Sequence, residues 1–182
     1  MSVDTAAIEN AIRTILAAIG EDPEREGLRD TPARVARFWR EFVDYDPGEI
    51  ERVFTATRRG QLVAVAGMRV WSLCEHHLLP FWCDVTIGYL PRGRVLGLSK
   101  FARVAHQHAH GLQIQERLAG QIARSIEEAT GSPDVGVIVT GEHLCMTMRG
   151  IRTPGRMTTL DFRGRLDEDP TLQAHLLRLA GV

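Results

Sequence analysis

Two short segments hold most of the chemistry this sequence can perform. The first is Cys74-Glu75-His76-His77; the second, far along the chain, is His143-Leu144-Cys145. Cys-x2-His places a soft thiolate and an imidazole at zinc-ligand spacing, and each segment follows an apolar run that reads as a strand. Cys74, Cys145 and one histidine would leave a tetrahedral ion with an open position, as in a catalytic rather than a structural zinc. The spacing favours His77 over His76 as that histidine, and the unused histidines would then stand beside activated water. The competing reading is two unrelated buried cysteines, because free cysteine often serves as a small apolar side chain. Cys83, inside an apolar strand pattern with no histidine nearby, reads that way. His106, His108 and His110 alternate along a helix, fan over different faces, and read as surface or interface groups.

Anion chemistry is the second theme. Gly97-Leu98-Ser99-Lys100 joins a strand to a helix, where free backbone N–H groups, the positive helix end and an ammonium can meet phosphate. Arg103 follows one turn later on the same side, and Arg149-Gly150 comes just after the second histidine–cysteine segment. Arg34 and Arg37 share a helix face and could clamp a polyphosphate with their planar forks. Each of these cations also reads as a solvated surface charge. The P-loop spacing is absent. Glu116 opens a helix whose buried stripe is Ile114 and Leu118, and a carboxylate there can accept two parallel N–H groups, as on a guanine edge. An ordinary exposed glutamate is the alternative.

These groups need elements to hold them. Apolar periodicity predicts a helix over 5–19 ended by Gly20, and another from the Thr31-Pro32 cap to about Asp44. Strands are expected at 62–66 and 68–71 around Gly67, and at 81–90. Residues 95–98 should pair with that last strand as a hairpin across Pro91-Arg92-Gly93. Ser99 is expected to cap a helix interrupted by Gly111, and Ile114, Leu118, Ile122 and Ile126 mark a long helix ending near Gly131. Strands at 135–139 and 157–166 and a terminal helix around 172–179 complete the chain. Strand groups between helices, without evenly spaced crossovers, point to an α+β fold. An N-terminal helical region over 1–48 would precede a catalytic region over 49–182, the whole forming a single compact domain.

The chain has 182 residues, 44% apolar and 25% charged, enough for a core without disulfide staples. No apolar run is long enough to span a membrane, and the N-terminus lacks a basic-then-apolar leader, so a cytoplasmic protein is expected. Net charge is -1, which argues against nucleic-acid coating but permits a local anion site. All but one of the 22 basic residues are arginine, and the exception is Lys100. Three cysteines are too few and too odd for a disulfide framework.

Taken together, Ser72-Leu73-Cys74-Glu75-His76-His77-Leu78-Leu79-Pro80-Phe81, Gly97-Leu98-Ser99-Lys100, Gln113-Ile114-Gln115-Glu116-Arg117-Leu118 and His143-Leu144-Cys145-Met146 with Arg149-Gly150 resemble the GTP cyclohydrolase I family. Gly20-Glu21-Asp22-Pro23 and Gly27-Leu28-Arg29-Asp30-Thr31-Pro32 fit as well, so the resemblance runs along nearly the whole chain in order. It implies the tunnelling fold, with antiparallel sheets and paired helices closing into a ring, and a homodecamer of two stacked pentamers with active sites between subunits. It implies that Cys74, His77 and Cys145 hold Zn2+ and that His76 and His143 move protons. Glu116, with Gln115 beside it, would anchor guanine. Ser99, Lys100, Arg103 and Arg149 would hold the triphosphate, joined by Arg34 and Arg37 of a neighbouring subunit. The implied reaction turns GTP and water into 7,8-dihydroneopterin triphosphate and formate, feeding pterin or deazapurine synthesis.

The chain departs from the family pattern in places. Cys83 and Thr86 stand where the family usually has a glycine and a histidine, and His110-Gly111 precedes Leu112 where a basic residue is common. Arg37 replaces a lysine, and Thr153-Pro154-Gly155-Arg156 is one residue short. None of these removes a proposed ligand. Two rival readings follow from the same sequence: a nitrile reductase of this fold with a nicotinamide cofactor, and a non-catalytic purine- or pterin-binding subunit.

Overall fold

A computed structural model describes residues 2–50, 53–55 and 60–182, and the chain divides into two compact units, Met1–Asp46 and Pro47–Val182. The first unit is a helix pair. Helix α1 (Thr5–Ala18) starts where the Asp4 carboxylate accepts from the Ala7 N–H at 3.0 Å. It buries Leu16 and leaves Ile15 and Ile19 exposed. Helix α2 (Thr31–Val43) buries Pro32, Ala36 and Phe42. The cap position falls on Asp30 rather than the expected Thr31; its carboxylate makes no cap bond and instead accepts from Arg34 at 3.2 Å.

The second unit is built on a five-stranded sheet. Strand β1 (Val53–Thr55) lies outside it. The sheet uses β2 (Val63–Cys74), β3 (Pro80–Tyr89), β5 (Leu112–Gln113), β6 (Val135–His143) and β7 (Met157–Phe162), in the order β5-β2-β3-β6-β7. All pairings are antiparallel except the two-residue edge β2–β5, which is parallel. The expected strands on either side of Gly67 are one long β2, whose register slips between Val65 and Met68. Gly67 takes φ +69 at that bulge.

The expected hairpin of 81–90 with 95–98 does not form. Strand β4 (Arg94–Leu96) pairs instead with β1 in a separate two-stranded sheet, and both neighbours of β3 are taken by β2 and β6. The turn residues bend the chain as read, but the sheet offers no free edge beside β3. The strand expected to run to residue 166 ends at Phe162. Gly164, at φ +54, turns the chain into α6 (Arg165–Glu168), followed by α7 (Pro170–Ala180).

Helices α3 (Leu98–Ala109) and α4 (Gln115–Thr130) cover one face of the sheet. Phe101 and Val104 of α3 and Leu118, Ile122 and Ile126 of α4 interlock with Val85, Ile87, Val137 and Val139 in one core. The cap of α3 is Gly97, so Ser99 lies inside the first turn. A smaller cluster on the other face joins Leu90 and Ile138 to Leu166 and Leu176. The α+β architecture expected from the sequence is thus present, with helices packed on a largely antiparallel sheet.

Register decides what meets at one end of this sheet. Leu73 faces Pro80, Phe81 faces His143, and Cys74 faces Gln113. The end of β2, the start of β3, the end of β6 and the start of α4 therefore share one rim. A short helix, α5 (Leu144–Thr147), leaves the same rim carrying Cys145.

Candidate active site

Backbone bonds shape the turn between β2 and β3. The Cys74 N–H donates to the Leu79 carbonyl at 2.9 Å, and the Leu78 N–H donates back to the Cys74 carbonyl at 2.8 Å. Leu78 adopts φ +54, which closes this tight turn and brings His77 back over Cys74. The Glu75 N–H donates to the Gln113 carbonyl at 3.1 Å, tying the turn to the strand before α4.

Ligand-type atoms of Cys74, His77 and Cys145 lie within 4.8 Å of one another, the one such cluster among the described residues. His77 Nδ1 is 3.5 Å from Cys74 Sγ. Zinc bonds of ~2.1–2.3 Å put tetrahedral ligands about 3.5 Å apart, so the donor set fits zinc with little movement. Burial, then the neighbouring Cys74, pushes the Cys145 thiol up, so two thiolates here call for a compensating cation. His77 is held below its usual value by lost hydration, then by Arg149 and His76, which favours the neutral imidazole a metal needs. Arg149 donates to His77 Nε2. His76 Nδ1 is 4.0 Å from Cys74 Sγ.

A pocket of about 250 Å³ opens on this cluster, lined by Cys74, His76, His77, Gln113, Ile114, Gln115, Glu116, His143 and Cys145. Larger hollows of about 510 and 440 Å³ lie elsewhere, and neither contains a thiol or an imidazole. Glu116 is exposed in the first turn of α4 and reaches the pocket. His143 is half-buried and stacked on Phe81, centroids 4.5 Å apart and planes 8° off parallel. Burial pushes its pKa down, partly opposed by Glu116.

The sequence of the GTP cyclohydrolase I family matches residues 8–181 of this chain. A GTP cyclohydrolase 1 from Hyperthermus butylicus is 50% identical over 180 residues, covering 98% of this chain and 92% of that protein. The chain belongs to the GTP cyclohydrolase I family. A Carboxydothermus hydrogenoformans GTP cyclohydrolase 1 is 46% identical, covering 98% of this chain and 96% of its own length. A Clostridium acetobutylicum GTP cyclohydrolase 1 is 42% identical, with 98% of both chains covered. The crystal structure of the apo archaeosine synthase QueF-Like superposes with a TM-score of 0.42 at 22% identity over 55% of this chain and 92% of that one, too slight a likeness to argue from.

Membership in the GTP cyclohydrolase I family makes the chain a hydrolase and sets aside the reductase and non-catalytic readings. The remaining residues named from the sequence fall in several places. Ser99 is exposed, Lys100 is buried with its ammonium on the Glu49 carbonyl, and Arg103 donates to the Pro47 carbonyl at 2.6 Å. None of the three lines the pocket. Arg34 and Arg37 are exposed on α2, in the first unit. Gln115 does line the pocket, but the expectation that it shares the guanine contact meets a side chain only 1% exposed, whose oxygen and nitrogen are both bonded by the chain itself. The three alternating histidines are half-buried, and His108 Nε2 meets Ser125 Oγ at 2.8 Å. Helix α4 packs on α3.

Sequence reading passed over two further groups. Arg117 bonds the Glu75 carboxylate at 2.5 Å and Gln113 Oε1 at 2.9 Å, clipping the metal-side turn to the helix that carries Glu116. Phe81 packs flat on His143. The Arg117–Glu75 pair had no local signal, since its partners are 42 residues apart. Phe81 opposite His143 would have required the strand register.

Proposed function

We propose that this chain binds GTP with its base in the pocket at the sheet rim and converts it to 7,8-dihydroneopterin triphosphate and formate. The observation that carries the reading is the convergence of Cys74, His77 and Cys145 within 4.8 Å, in one pocket with His76, His143 and Glu116. Cys74, His77 and Cys145 would hold Zn2+. Bound there, the ion supplies Lewis-acid activation of water for attack on a weakly electrophilic purine carbon.

Glu116 orients the base. Its carboxylate accepts the paired N–H groups of the guanine edge, which fixes C8 toward the cysteine–histidine cluster. His143, kept neutral by burial, accepts a proton, and the exposed His76 exchanges protons with solvent. Water adds at C8, the imidazole ring opens, and a second hydrolysis releases formate. The ribose then rearranges to a ketose and closes on the freed amine, steps that need proton transfer more than a metal. Arg149 places a cation beside His77 for the triphosphate, which Ser99, Lys100 and Arg103 also serve.

That these last three lie off the pocket supports a site completed between subunits, with Arg34 and Arg37 supplied by the neighbour, in a homodecamer working in the cytoplasm. No described helix is long and apolar enough to cross a membrane. The test is to incubate zinc-loaded protein with GTP and measure formate and the pterin product together. Equal amounts of both support the reading; pterin-free formate, or neither product, overturns it.

A further inference from the structure

Gln115 sits at the start of α4 with its amide wedged between the helix and the sheet. Its Nε2 donates to the Val139 carbonyl and to the Met157 carbonyl, each at 2.9 Å, on neighbouring strands β6 and β7. Carbonyl oxygens only accept, so the amide nitrogen must face them and the amide oxygen must face the other way. That oxygen, Oε1, lies 2.9 Å from His143 Nε2. It too can only accept, so His143 Nε2 must carry the hydrogen. The usual ambiguity of amide and imidazole orientation is removed here by two backbone carbonyls that have no alternative role.

Two further contacts hold this arrangement. Phe81 lies flat against the imidazole, so the ring cannot turn out of its plane without losing the stack. Cys83 Sγ is 3.7 Å from the same Oε1, and burial pushes this thiol up to about 12, so it remains S–H and donates weakly to that oxygen. Gly141 leaves room for the cluster: a Cβ there would fall 2.5 Å from Cys83 Sγ and 2.9 Å from Gln115 Oε1.

We infer that Gln115 is a positioning residue that locks His143 as the Nε2–H tautomer, so that Nδ1 is the bare nitrogen of the ring. The inference rests on the proposed role of His143. It assigns Gln115 to the imidazole rather than to the guanine edge.

Solid-state 15N spectra of histidine-labelled, zinc-loaded protein, with His143 assigned by its loss in His143→Asn, read the tautomer directly. The expected signal is a protonated Nε2 beside a bare Nδ1; a protonated Nδ1, or two averaged nitrogens, overturns the inference. Gln115→Leu should keep its zinc and its KM for GTP within about twofold while kcat falls about 100-fold, the scale of one misplaced proton-transfer group. A raised KM with unchanged kcat would return Gln115 to base recognition and overturn the inference. Should Gln115→Leu fail to fold, the spectrum of the unmodified protein still decides. A wild-type protein that releases no formate from GTP overturns the reaction itself, and the spectrum distinguishes that failure from a wrong tautomer.

Discussion

The rim that gathers Cys74, His77, His143 and Cys145 and the start of α3 with Ser99, Lys100 and Arg103 are both places where a strand hands over to other structure, yet they are built differently. At the rim, sheet register sets the chemistry: Cys74 faces Gln113, Phe81 faces His143, and three ligand-type atoms end up within 4.8 Å. At the start of α3 the two cations bond carbonyls of Glu49 and Pro47, and none of the three residues reaches the pocket. The difference is the one that the two proposed roles would demand. Bond making requires reacting groups fixed to a fraction of an ångström, and here paired strands, the hydrogen-bonded turn after Cys74 and the helices leaving the rim hold them. Holding a polyphosphate requires charge and reach, and separate surfaces can provide that.

Breaking the rim should have the largest effect. Cys145→Ser is expected to lose zinc and to reduce formate release by at least ~1000-fold, since the water-activating ion goes with the ligand. Full zinc content in that variant, read by elemental analysis, would remove Cys145 from the metal site. Next comes the base contact. Glu116→Ala should retain zinc and raise KM for GTP by about 10–100-fold, because charged hydrogen bonds of this kind are worth roughly 1.5–3 kcal/mol. A selective loss of GTP over ATP binding would sharpen the assignment, and equal weakening of both would sink it.

A smaller effect is expected from the α3 cations. Arg103→Gln should raise KM for GTP by about tenfold and flatten its dependence on salt, as expected for one phosphate contact. If steady-state kinetics do not change, the guanidinium serves only the Pro47 carbonyl and the two-surface account of substrate binding fails. The smallest effect belongs to an ion pair on the outer face of the sheet whose residues do not line the pocket. There Asp84 is held by Arg69 at 2.9 Å and by Arg156 at 3.0 Å, and Arg69 keeps the carboxyl below its ordinary range. A depressed folded-state value contributes stability above the unfolded carboxylate pKa of about 3.9 and loses it as pH falls through the lower folded value. Asp84→Asn should therefore cost about 1 kcal/mol or less at pH 7, and the difference should vanish in strong acid. Paired melts at the two pH values would check the sign.

What was legible at the rim is what is local; that Cys145 meets Cys74 was implied only by the family resemblance, because sheet register decides it. Cys74-x2-His77 is a spacing, Glu116 follows from the helix stripe, and the long helices announce themselves by Leu118, Ile122 and Ile126. What could not be read is what long-range pairing decides. Pro91-Arg92-Gly93 is a true turn, but the partner of β4 is β1, some forty residues earlier, and no turn signal encodes that choice. Gln115 looked like a neighbour of Glu116 on the same task. Its actual partners include the Val139 and Met157 carbonyls, which every residue type carries and which therefore leave no trace in the sequence. The bond from Arg117 to Glu75 was hidden for the same reason, since two ordinary charges meet only after the sheet forms.

Gly141 gives the rim an evolutionary consequence. Even a single methyl at that position would collide with the Cys83 sulfur, the Trp82 carbonyl and the Gln115 oxygen at 2.5–2.9 Å, and two of these belong to groups that cannot swing aside. A saturation library at this codon, selected for turnover, should return the parent residue alone, whereas an exposed position such as Leu160 on the neighbouring β7 should tolerate exchange. The hole where a side chain is missing is thus as much a part of the working machinery as the side chains around it.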